Sequence, residues 1–142
     1  MPLSSAIEGN GMEKLIKIEC NDISKTFIQK GTVEVPVIKD VSLAVHENEF
    51  LVILGPGQCG KSTLLRIIAG LEVPDKGFVT MPDGPIVGPG PDRGLVFQGY
   101  MLFAWETVFG NVEMGLKLRG VPKHERQSVA RHYIKMVGLD GF

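Results

Sequence analysis

Cysteine is scarce in this 142-residue chain, which has only Cys20 and Cys59. Two isolated thiols supply neither a metal-ligand set nor a disulfide framework, and they suit a reducing compartment. No apolar run approaches the ~20 residues of a membrane-spanning helix, so any association with a membrane is expected to come through a partner. Residues 1–11 lack the basic stretch and apolar core of a secretory signal peptide. They are read instead as a flexible extension ahead of a patterned region over 12–142. An excess of charge is missing as well: the formal net charge is −1, which argues against a surface for nucleic acid or anionic lipid.

Glycine and proline, in contrast, are plentiful, at 18 and 9 residues, and they fall in clusters. Such clusters predict several tight loops between regular elements. Residues 15–20 alternate apolar and polar side chains and predict a strand. Residues 33–39 and 41–45 are β-branched and extended, with a turn at 46–49. Residues 50–54 read FLVIL, the continuous apolar run of a strand covered on both faces. A glycine-rich loop follows. Leu64, Leu65, Ile67 and Ile68 then mark a helix over 61–69 that stops at Gly70. Turns at 74–77 and 82–84 bracket a short strand over 78–81, residues 88–92 form a loop, and 95–97 read as a last short strand. Val108, Val112 and Leu116 predict a helix ending near Gly120. Pro122 opens a second helix carrying Val129, Tyr133 and Val137 to Gly138. No repeats stand out.

The segment Gly55, Pro56, Gly57, Gln58, Cys59, Gly60, Lys61, Ser62 fits G-x-x-x-x-G-K-[ST] at every fixed position. Glycines let the backbone curl so that successive N–H groups point inward and form a nest for phosphate oxygens. The helix that begins at the end of the loop directs its positive end to the same point. Lys61, expected to face solvent when the loop is empty, adds a full charge for the β- and γ-phosphates, the Ser62 hydroxyl is a ligand for Mg²⁺, and Thr63 adds a hydroxyl on the α-phosphate side. A chance match in a glycine-rich turn is the bland alternative, but the strand before and helix after supply the context that the motif needs. There is no N-K-x-D segment to read guanine and no D-x-x-G after the loop, which excludes a small GTPase. Between the loop and Gln98 only Arg66 and Arg93 occur, too few for the lid of a nucleotide kinase.

Ser24-Lys25-Thr26-Phe27, Lys39-Asp40-Val41-Ser42-Leu43, the loop with its helix KSTLLRIIAGLE, and Leu95-Val96-Phe97-Gln98 together resemble the ATPases of ABC transporters, over residues 15–142. GPGPDRGLVFQ followed by LFAW-x-TV-x-x-N is similar to importers of nitrate, sulfonates, taurine and related anions. The resemblance implies an α/β fold: an antiparallel β portion, the start of a P-loop core sheet, and the beginning of a helical subdomain. It implies ATP and Mg²⁺ as cofactors, with Lys61 and Gln98 catalytic and Ser62 and Gln98 on the metal. Phe27 would stack on adenine, although a core phenylalanine at a strand end stays open. The aromatic stretch Tyr100, Met101, Leu102, Phe103, Trp105 and Phe109 is either core or the wall of a groove for a partner's helix.

Two departures stand out. Gln58 replaces the glycine usual at its place, so the loop must reach its dihedral angles with a side chain present, and Ala104 replaces a proline. The resemblance also implies further elements that the chain does not contain. Walker B, the LSGG signature and a switch histidine are absent, and His46, His124 and His132 stand elsewhere, facing solvent. The chain is thus expected to be the N-terminal part of a larger subunit and not competent in hydrolysis by itself. The implied partners are a transmembrane permease subunit, a second ATPase copy head to tail and, indirectly, a periplasmic or extracellular substrate-binding protein, with no nucleic acid. The implied location is cytoplasmic, peripheral on the inner face of the cell membrane. A DNA-repair or chromosome-maintenance ATPase and a stand-alone nucleotide-binding module are the rival readings.

Overall fold

The computed structural model describes residues 15–29, 31, 33–99 and 101–142. The expected extension over 1–11 and the ring of Tyr100 lie outside the described residues. The chain forms two units, residues 1–95 and 96–142.

In the first unit β1 (Ile16–Gln29) and β2 (Val33–His46) form a long antiparallel hairpin. Valines and isoleucines recur along β2 and favour the extended backbone. β1 pairs on its other edge with β3 (Lys76–Met81), and β3 with the short β4 (Gly84–Pro85), giving the order β2-β1-β3-β4. α1 (Lys61–Ile68) lays Leu64 and Ile67, three residues apart on one face, against Cys20, Ile23, Ile38 and Val79. These six side chains are the buried core of the unit.

Of the four register shifts in the hairpin, the two that flank Ile23 form a matching pair. Asp22 and Asp40 both have positive φ, 49° and 48°. The Asp22 N–H donates to Ser42 Oγ and the Ser42 hydroxyl donates to Asp22 Oδ1, both at 2.9 Å. The Asp40 N–H donates to Ser24 Oγ at 2.9 Å, and the Ser24 hydroxyl donates to Asp40 Oδ1 at 3.0 Å. Each aspartate thus takes the left-handed turn that Asp tolerates best among larger residues, and a serine on the opposite strand satisfies its backbone. Between the two brackets Ile23 faces Val41, with Ile23 fully buried. The brackets pin the register in the middle of the hairpin.

The three helices and the hairpin strands lie where expected, with β1 running nine residues past the expected end at Cys20 to Gln29; β3 starts at Lys76, inside the turn expected over 74–77. Two predicted strands are not there. Residues 50–54 and 95–97 take part in no ladder, and Phe50 is 91% and Leu54 87% exposed. A strand exists by hydrogen bonds to a neighbour, and no described residue pairs with either run; only Ile53 of 50–54 touches the core.

In the second unit α2 (Val108–Leu118) packs against α3 (Lys123–Met136). Thr107 caps α2 by accepting from the Gly110 N–H at 3.0 Å. Arg126 Nε lies 2.9 Å from Glu113 Oε2, both side chains being largely shielded, and ties the two helices. Asn111 holds the preceding loop by accepting from the Phe103 N–H and donating to the Phe103 and Thr107 carbonyls. Within the aromatic stretch Met101, Leu102 and Trp105 are well exposed and Phe109 is half-buried, and the Phe103 and Trp105 rings lie 5.4 Å apart. No helix among the described residues is long and apolar enough to cross a membrane.

Candidate functional site

The phosphate-loop candidates Gly55, Pro56, Gly57, Gln58, Cys59, Gly60, Lys61, Ser62 and Thr63 come together at the amino end of α1. Gly60 is the residue before the helix and has φ 94°. A side chain there is barred twice over, by the left-handed backbone and because a Cβ would lie 2.6 Å from the Val37 carbonyl oxygen. The loop therefore rests directly on β2. Gln58, which replaces the family's glycine, has φ 62°; the expected strain is present in the backbone.

Helical hydrogen bonding starts with the Leu64 N–H, which donates to the Gly60 carbonyl at 2.9 Å. No side chain caps the helix and no acidic residue stands in its first turn. The N–H groups of Lys61, Ser62 and Thr63 are consequently left for an outside acceptor, and the dipole of the helix favours an anion.

The Lys61 ammonium, expected to face solvent, folds back on its own loop. It donates to the Gly55 carbonyl at 2.8 Å and the Pro56 carbonyl at 2.6 Å, with Cys59 Sγ at 3.4 Å. Its position places a positive charge beside the open N–H groups, within reach of a bound phosphate chain. Cys59 is exposed, as a loop thiol should be, while Cys20 is 1% exposed. Burial, aided by Glu19, raises the Cys20 thiol to about 11.

Phe27 lies on β1, across from the strand on which the loop rests. It pairs with Val35, two residues from Val37, against which Gly60 rests. Its ring is 38% exposed and has the Lys25 ammonium 5.3 Å from its centre. Gln98 belongs to the second unit, exposed at a bend. Of the three histidines, His124 and His132 are exposed and His46 is partly so, with Nδ1 3.1 Å from Glu49 Oε2.

Sequence reading missed the charged cluster around Lys25. The Lys25 ammonium meets Glu72 at 2.8 Å, Asp75 at 3.4 Å and the Val73 carbonyl at 2.7 Å. Glu72 and the other acidic partner raise its affinity for the proton. The Asp75 carboxylate accepts from the Thr26 N–H at 2.6 Å, which holds its own titration below the ordinary carboxylate value. It missed the Arg93 clamp too. This guanidinium is paired with Asp92 and donates to the Gly88 carbonyl, which fixes the loop over 88–93. The Asp–Ser brackets did have a signal, the repeated triplets Asp22-Ile23-Ser24 and Asp40-Val41-Ser42.

Among known proteins, an uncharacterised ABC transporter ATP-binding protein of Methanocaldococcus jannaschii is 49% identical, covering 89% of this chain and 47% of that protein. The taurine import ATP-binding protein of Pseudomonas putida is 42% identical over 85% of this chain and 46% of its own length. The nitrate import ATP-binding protein of a Synechocystis species is likewise 42% identical, over 88% and 47%. The chain spans about half the length of these curated relatives. Among solved structures, the ATP-binding cassette MJ0796, a dimer in a post-hydrolysis state bound to ADP and Pi, superposes with a TM-score of 0.74. That match has 29% identity and covers 87% of this chain and 58% of the other. The likeness supports the α/β fold of a P-loop ATPase. The family model described as ABC transporter matches residues 38–142, the phosphate loop included. Because that match takes in more than half of the sequence, the chain belongs to the ABC transporter family.

Proposed function

We propose that the chain is the N-terminal part of the ATP-binding subunit of an importer for nitrate, taurine, a sulfonate or a similar anion. The observation that carries the nucleotide part is the uncapped amino end of α1, with its three open N–H groups beside the Lys61 ammonium. The taurine and nitrate import proteins among its relatives support the transport part, and so does a relative named for bicarbonate transport.

In this reading the N–H groups of the loop and of residues 61–63 bind the phosphates, and Lys61 exchanges its carbonyl partners for the β- and γ-phosphate oxygens. Among the described residues no cluster of three His, Cys, Asp or Glu could hold a metal alone. That suits Mg²⁺, which keeps few protein ligands and arrives with the phosphates. Ser62 would hold it, with Gln98 the second ligand that the resemblance implies, and the ion would neutralise charge on the transferred phosphoryl group. Phe27 stacks on the adenine. Hydrolysis belongs to the complete protein, a head-to-tail pair of ATPase subunits at the cytoplasmic face of a permease, which a substrate-binding protein supplies.

Titration calorimetry of the 142-residue chain with MgATP tests the reading. Lys61→Ala should weaken binding by roughly 10- to 100-fold, the worth of a charge-assisted hydrogen-bond pair, with an unchanged circular dichroism spectrum. A folded Lys61→Ala chain that binds ATP as the wild type does would remove the claim.

A further inference from the structure

Phe27 lies on the long hairpin between two supports. On one side β2 holds it through Val35. On the other side the ladder between β1 and β3 stops at Ser24 and Lys76, and the segment over 72–75 takes over. The Asp75 N–H donates to the Ser24 carbonyl at 2.9 Å, and the Asp75 carboxylate caps the N–H of Thr26, the residue next to Phe27. Lys25, its side chain 12% exposed, is drawn into the same cluster by Glu72, Asp75 and the Val73 carbonyl, which sets its ammonium over the Phe27 ring.

The segment 72–75 is also the exit of α1. The phosphate loop leads into α1, α1 into the acidic segment, and the acidic segment into the strand that carries Phe27. The strand returns through Val35 and Val37 to the loop at Gly60. The two ends of a bound nucleotide would thus touch one closed circuit of packed elements inside the first unit.

We propose that Lys25 and Asp75 are positioning residues that hold the Phe27 ring for stacking against the base of an adenine nucleotide. Two effects carry it. A carboxylate on the Thr26 N–H replaces the missing ladder partner and stops the strand end from fraying. A cation against one face of the ring fixes its rotation and leaves the remaining surface for the base. Neither residue touches the phosphates, so each acts on the base alone. The inference rests on the reading of Phe27 as the base platform.

The test compares affinities for MgATP and for inorganic tripolyphosphate, which has the phosphates and no base, across four variants of the full chain. Phe27→Ala should weaken ATP on the order of tenfold, within the usual worth of base–aromatic stacking. Lys25→Met and Asp75→Ala should each weaken ATP by about three- to tenfold on the same scale and leave tripolyphosphate binding as it is. Asp75→Asn, which keeps an acceptor for the Thr26 N–H, should recover most of the loss. If Phe27→Ala weakens ATP while Lys25→Met and Asp75→Ala do not, the positioning role is overturned and the platform stands. A parallel loss of tripolyphosphate in the Lys25 and Asp75 variants also overturns it, since that marks general damage to the fold. ATP binding unchanged in Phe27→Ala removes the platform and the inference with it.

Discussion

Replacing Gln58 by glycine should stabilise the chain, although it removes a side chain and adds no contact. Gln58 sits at φ 62°, where a Cβ crowds the following carbonyl at a cost of about 1–2 kcal/mol. Glycine removes that cost but makes the unfolded chain more flexible, which returns about 0.5–1 kcal/mol. The Gln58 side chain is exposed, so little packing is lost. The balance is a gain centred on about 0.75 kcal/mol, within a span of about 0–1.5, or a melting temperature higher by roughly 2–4 °C for a chain of this size. Gln58→Ile should go the other way, because a β-branched residue in the left-handed region is disfavoured still more. Thermal unfolding of the three proteins side by side, followed by circular dichroism, is the assay. The nest uses the backbone N–H at this position, so the affinity of Gln58→Gly for MgATP should not fall. A Gln58→Gly chain that melts below the wild type, or a Gln58→Ile chain that melts with it, would refute the reasoning.

The remaining predictions concern the two thiols and one bracket. Maleimide should label exposed Cys59 and leave buried Cys20 untouched in the folded chain, and saturating MgATP should protect Cys59 where AMP does not. Equal labelling with and without MgATP would place Cys59 outside the bound site. Folding holds the Cys20 proton up to about pH 11, against 9.0 for an ordinary thiol. A raised folded value means stability that is complete below pH 9 and lost as pH rises toward 11, by at most about 3 kcal/mol. The melting temperature of Cys20→Ala should therefore fall less steeply than that of the wild type across this window, and parallel slopes would contradict the assignment. Ser42→Ala strips the Asp22 N–H of its acceptor and should cost about 0.5–1.5 kcal/mol in denaturant unfolding; a neutral result would show that water replaces the serine.

Much of this molecule could be read from short stretches of sequence. The helix over α1 was legible because Leu64 and Ile67 share a face and Gly70 ends it, and the loop because its glycines and Lys61 stand at fixed spacing. The strain at Gln58 followed from a single residue out of pattern. The errors arise where the outcome depends on distant partners. Residues 50–54 have the composition of a buried strand, but composition cannot supply the neighbouring strand that would make them one. The Lys61 ammonium turns toward the Gly55 and Pro56 carbonyls of its own loop, a side-chain conformation that the spacing of the motif does not specify. Lys25 and Asp75 are far apart in the chain and unremarkable one by one. Only the wrap of 72–75 around β1 brings them together.

The mid-hairpin brackets also bear on how the gene can change. Where a tight turn sets the register of a hairpin, any insertion at the tip shifts every pair of the strands. Here Asp22, Ser24, Asp40 and Ser42 fix the pairing well inside the strands. The connection between Gln29 and Val33 is thereby released from that duty, and lengthening it costs only the slow growth of loop entropy, about 0.6 kcal/mol for each doubling. Descendants of this sequence can vary the tip, or carry a graft there, with Ile23 still opposite Val41.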